Sequence, residues 1–92
     1  MKEAIKNLKL FKNRTMSIDE MIEHLADTHG FYISIKPLRY GAWVAEVYDL
    51  LLDTTEIYSV VSENRTQAKE YAIEYVCKKL EESHERHYSK SI

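Results

Sequence analysis

Hydrophobic and polar positions alternate over residues 31–36. Phe31, Ile33 and Ile35 fall on one side, and Tyr32, Ser34 and Lys36 on the other. A period of two marks a half-buried strand. Pro37 has no N–H to donate and ends regular pairing, and residues 38–41 read as a turn with Gly41 supplying backbone freedom. Residues 42–50 alternate again, with Trp43, Ala45 and Val47 opposed to Val44, Glu46 and Tyr48. A polar turn at 53–56 leads to a third strand at 57–62, rich in β-branched residues. Its register stays open. Ile57/Ser59/Val61 and Tyr58/Val60 are both sound inward sets, and a slip of one residue exchanges the faces.

On either side of this meander the period changes to that of a helix. Ile18, Met21, Ile22, Leu25 and His29 form one stripe. Ser17 stands at the N-cap with Glu20 three positions on, Met16 and Met21 occupy the flanking apolar positions, and Gly30 fits a C-terminal cap. After the sheet, Ala68, Ala72, Ile73, Val76, Cys77 and Leu80 make a second stripe, flanked by Tyr71 and Tyr75, with Asn64 or Ser62 as its cap. A three-stranded sheet needs one covered face, so both helices are expected on the same side. The predicted fold is α+β, a three-stranded antiparallel sheet with two helices on one face, in the order α-β-β-β-α. Residues 1–16 read as a basic arm or short helix, 17–88 as the single domain and 89–92 as a frayed tail.

The chain has 92 residues, enough for one modest core. A single cysteine leaves no internal disulfide framework, and no apolar run approaches the roughly 18 residues of a membrane span. With no secretory apolar region at its start, the chain is expected to be cytoplasmic, with no membrane partner. The net charge of -2 conceals an uneven distribution. Lys2, Lys6, Lys9, Lys12 and Arg14 face only Glu3 in the first 16 residues, whereas 17–30 carry Asp19, Glu20, Glu23 and Asp27 and no lysine or arginine.

Candidate chemistry is sparse. His84 and His87 lie one helical turn apart with Glu81 near both, but no third ligand has metal-site spacing. Cys77 falls on the core stripe with no activating base in view. Glu46 and Asp49 occupy opposite faces of one strand, against a carboxylate dyad. With two glycines in the chain there is no phosphate-cradling loop. No catalytic residue, cofactor or metal site is assigned, and the reading is of a non-enzyme.

The aromatic residues say more. Tyr32 and Tyr48 are expected to share the face turned away from the helices with Val44, with either Ile57 or Tyr58 on it as well and Tyr40 at the adjoining turn. Leu51, in a run of three leucines, must lie partly outward. Tyr32, Tyr40, Tyr48, Tyr58 and Leu51 are therefore the candidate protein-binding residues, for a partner or for a second copy in a homo-oligomer. Nucleic-acid binding through Lys6, Lys9, Lys12, Arg14, Arg65 and Lys69 is the alternative.

Three resemblances accompany this reading. The order helix, three strands, helix over 17–82, with Arg65 and Lys69 on the segment Arg65-Thr-Gln-Ala68-Lys69-Glu-Tyr-Ala72, resembles the double-stranded RNA-binding domain, which implies phosphate contacts by those two cations. Trp43-Val-Ala-Glu-Val47 followed by an alanine-bearing helix is similar to HicB-type antitoxins. The strand with Trp43 and the stretch Ala72-Ile-Glu-Tyr-Val-Cys77 are similar to small phage proteins of the helix–sheet–helix sandwich type, which implies an accessory protein of a phage or mobile element.

Overall fold

A computed structural model of the chain describes residues 15–51 and 56–90, with side chains described as far as residue 82. The elements are α1 (Ile18–His29), β1 (Phe31–Pro37), a one-turn 3-10 segment (Arg39–Gly41), β2 (Trp43–Asp49), β3 (Glu56–Ser62) and α2 (Arg65–Lys90). The basic arm, with Lys6, Lys9, Lys12 and Arg14, lies outside the described residues.

Local signals in the sequence fix both ends of α1. Ser17 sits in extended backbone, and its side chain accepts from the Glu20 amide at 3.2 Å, while Asp19 and Glu20 occupy the first turn, where carboxylates favour the positive helix end. Gly30 ends the helix in the left-handed region at φ 73, and its N–H returns to the Ala26 carbonyl at 3.2 Å. The Gly30 carbonyl then accepts from Leu50 N at 2.9 Å, so one residue closes the helix and opens the sheet.

The sheet is an antiparallel meander in the order β1-β2-β3. Ile33 lies opposite Val47 and Ile35 opposite Ala45, and Ala45 in turn opposes Val60. A bulge between Val47 and Tyr48 sets Tyr58 opposite Val47 and Glu56 opposite Tyr48, with Ile57 as the extra residue. The bulge settles the third strand. Tyr58 and Val60 face the helices, and Ile57 packs against the same core from its irregular position. Both helices cover this one face. Met21 and Leu25 of α1 join Phe31, Ile33, Ala45 and Val47 of the sheet and Ala68, Ala72, Ile73, Val76 and Cys77 of α2 in a single buried cluster.

Both candidate caps of α2 are used together. The Asn64 side chain accepts from Gln67 N at 2.9 Å, while Ser62 Oγ donates to Gln67 Oε1 at 2.7 Å and accepts from Asn64 N at 3.1 Å. The N-terminus of α2 is thus tied to the last residue of β3.

Gly30 also makes a close approach. A Cβ added there would stand 2.6 Å from Leu51 Cγ. Leu51 is 77% exposed and free to swing aside, so the backbone dominates the cost. Gly30→Ala is expected to destabilise the fold by about 1–2 kcal/mol through its left-handed conformation. In urea titrations Leu51→Ala should recover only a minor part of that loss. Full recovery would place the cost in the side-chain clash instead.

Candidate functional site

The side of the sheet turned away from the helices carries Tyr32, Ser34 and Lys36 from β1, Val44, Glu46 and Tyr48 from β2, and Ser59 and Val61 from β3. Tyr32 pairs directly with Tyr48, their ring centroids 6.1 Å apart and tilted by 40°. Tyr32 is 48% exposed and Val61 59%. These placements follow from the pleat: once Ile33 and Val47 turn inward, their neighbours must turn outward.

Charge crosses this face as well. Lys36 Nζ pairs with Glu46 Oε1 at 2.8 Å, which holds the Glu46 carboxyl below its ordinary range. The bulge brings Glu56 beside Glu46. Their shared hydrogen bond raises the Glu56 carboxyl while it lowers that of Glu46. Glu46 and Asp49 do not meet, but Glu46 and Glu56 do, through a backbone irregularity that alternation does not reveal. Two carboxylates share one lysine here, with the Glu46 side chain 18% and that of Lys36 57% exposed, and an ion pair open to solvent on one side contributes little stability.

The expected contact residues do not form one patch. Tyr32 and Tyr48 lie together, with Leu51 at the same end of the sheet beside Gly30. Tyr40 is fully exposed at the other end of β2, in the β1–β2 turn, with left-handed backbone at φ 66. A backbone bond of 2.8 Å from Leu38 N to Ala42 O closes that turn. A bulky residue there carries strain of about 1–2 kcal/mol. Tyr58 is a correction: it lies on the helix-covered face and stacks on Tyr75 of α2, centroids 4.0 Å apart and nearly parallel at 7°. The bulge at Ile57, set by pairing with β2, turns it inward.

The cations assigned to nucleic acid are differently placed. Lys69 Nζ binds Asp19 Oδ1 at 2.8 Å and ties α2 to the start of α1, with the lysine side chain 14% exposed. Arg65 lies over the Trp43 ring, its guanidinium carbon 5.3 Å from the centroid. Stacking of this kind leaves the guanidinium edge open to solvent. Trp43 itself is half-buried against the core.

The remaining chemistry-bearing groups are mostly internal. Burial, and then Glu81, push the Cys77 thiol up to about 12, so the thiolate required of a nucleophile is suppressed. Among the described residues no group of three metal-ligating side chains occurs, and no helix is long and apolar enough to cross a membrane. His84 and His87 lie among the residues whose side chains are not described.

His29 closes α1 with its Nε2 buried and without a hydrogen-bond partner among the described residues. Its ring meets His24 edge to face at 5.7 Å. Burial first, and then His24, lower its pKa below the ordinary 6.5. The unfolded chain therefore takes up this proton at a higher pH than the folded one. The stability that His29 contributes in its neutral form is intact above about 6.5 and is lost as pH falls through the window below it. Denaturant titrations at pH 7.5 and 5.5 should show a smaller decline for His29→Gln than for the unaltered protein, and equal declines would contradict this.

A second lined surface was not legible in the sequence. Tyr58 of β3 and Tyr71, Glu74, Tyr75 and Lys78 of α2 border a cleft of about 240 Å³. Burial is the first cause that raises the Tyr58 phenol, and Glu74 the second. Glu74 pairs with Lys78 one turn on, at 3.0 Å. The spacing of Tyr71, Glu74, Tyr75 and Lys78 does mark one flank of a helix, but its opposite wall comes from a strand distant in sequence. No model of a known protein family, no curated protein and no solved structure matches this chain.

Proposed function

We propose that this is a small non-enzymatic protein that acts by binding another protein, or a second copy of itself, through the open sheet face centred on Tyr32 and Tyr48. The observation that carries the reading is the exposure of Tyr32, at 48%, beside Tyr48 on the face that neither helix covers. Tyrosines on a rigid sheet supply contact area at low entropic cost, with a hydroxyl for orientation. Exposed Leu51 adds apolar area at the Tyr32 end of the face, and the Lys36–Glu46 pair that crosses the face beside the tyrosines supplies polar contacts.

The alternative, phosphate binding in the manner of a double-stranded RNA-binding domain, has less support. Such recognition needs a free cationic face, and Lys69 is already held by Asp19.

The test pairs two readouts on Tyr32→Ala and Tyr48→Ala. Self-association is measured by sedimentation, and partner recovery by co-purification from the native host, each beside a thermal melt. Tyr32→Ala is expected to leave the melt nearly unchanged, as surface substitutions do, and to weaken the complex by at least about tenfold. A collapsed fold, or a complex indifferent to both substitutions, removes the sheet face from consideration.

A further inference from the structure

The cleft beside β3 is independent of the open face, because Tyr58 points to the other side of the sheet. A second hollow of about 190 Å³, lined by Tyr75, Lys78, Lys79 and Glu82, adjoins it through Tyr75 and Lys78. The surface therefore runs along α2 as a groove. Its other border, β3, is an edge strand that pairs with β2 alone among the described residues. One side of its backbone thus offers N–H and C=O groups that no strand among the described residues uses. An edge strand lying beside a helix-lined groove is the arrangement in which an extended peptide adds to a sheet and drops alternate side chains into the groove.

The groove also states which side chain it suits. Tyr58 and Tyr75 are already closed face to face at 4.0 Å, leaving no slot for a third ring between them. Glu74 lies among the tyrosines with its side chain 21% exposed, and it forms an ion pair with the 61% exposed Lys78. A flexible lysine with that exposure is easily displaced, since exposed i,i+4 pairs are worth only about 0.3–0.5 kcal/mol. A guanidinium can both lie along a phenol ring and present a two-pronged edge to a carboxylate, which an ammonium cannot. The molecule already uses the stacking half of this geometry where Arg65 covers Trp43.

We propose that this groove receives an arginine side chain from an extended segment of a partner protein, the segment adding to β3 as a fourth strand and the guanidinium reaching Glu74 alongside the stacked tyrosines.

The experiment is a nitrogen-15 NMR titration of the full chain with a blocked pentapeptide, threonine-valine-arginine-valine-threonine, and with its citrulline analogue, which keeps the shape and lacks the charge. The arginine peptide should perturb amides of β3 and of the Tyr71–Lys78 turns of α2. The citrulline peptide should bind about tenfold more weakly. Glu74→Gln should weaken the arginine peptide by a similar factor and leave the citrulline peptide unchanged, which separates loss of charge recognition from damage to the groove. Equal binding of the two peptides, an equal effect of Glu74→Gln on both, perturbations confined to Tyr32 and Tyr48, or no response at several millimolar peptide would each overturn the proposal.

Discussion

Leu25→Ala is expected to lower the free energy of unfolding by roughly 2–5 kcal/mol, the range for a fully buried leucine truncated in a core that closes only partly around the gap. Leu25 has 0% exposure and is, with Met21, one of the two buried side chains of α1. Met16, Ile18 and Ile22 pack against the core only in part. Leu25 therefore holds much of the apolar contact that seats α1 on β1. Against a typical net stability of about 5–15 kcal/mol, the loss would leave a large unfolded population or none of the fold. A urea titration that shows a lower midpoint with an unchanged slope would fit a truncated core in an intact fold. A loss under about 1 kcal/mol would mean that α1 is not seated as described. Leu51→Ala, at a 77% exposed position, supplies the contrast and should fall within about 0.5 kcal/mol of the starting protein.

What could be read from the sequence was what local chemistry determines. Ser17, Glu20 and Gly30 specify both ends of α1 within a few bonds of themselves, and period-two alternation places the faces of β1 and β2. The third strand resisted because two adjacent residues, Ile57 and Tyr58, are equally suited to the interior. A bulge chosen by pairing with β2 lets both touch the core, and alternation within β3 carries no trace of it. The same irregularity brings Glu56 to Glu46, so a carboxylate pair arises where the spacing within β2 argued against one. Lys69 reads as an open cation until Asp19, fifty positions earlier, is found 2.8 Å from its ammonium group. The groove beside β3 was hidden for a related reason. Tyr71 and Tyr75 register only as neighbours of a core stripe until Tyr58 arrives from another element. Each miss is a non-local contact that no window along the chain contains.

Ala72→Leu is expected to cost about 1–3 kcal/mol, and the cause is distance rather than helix propensity. Ala68 and Ala72 of α2 and Ala45 of β2 all have 0% exposure, so the helix meets the sheet through methyl groups with no space beside them. Alanine and leucine differ little as helix formers, whereas added branched carbon in a filled interior forces strained rotamers or a backbone shift. Ala72→Gly separates the two effects. It removes a methyl and about 1 kcal/mol of helix preference but imposes no crowding. If close approach governs, Ala72→Leu alone should also disturb tertiary contacts, because lifting α2 from the sheet draws Tyr75 away from Tyr58, whose rings now stack at 4.0 Å. Near-ultraviolet circular dichroism in the tyrosine band would register the loss, while the far-ultraviolet helix signal stays unchanged. An Ala72→Leu protein with full stability and an unaltered tyrosine band would show that the helix–sheet interface yields at no cost, and that small residues are not what sets the separation of α2 from β2.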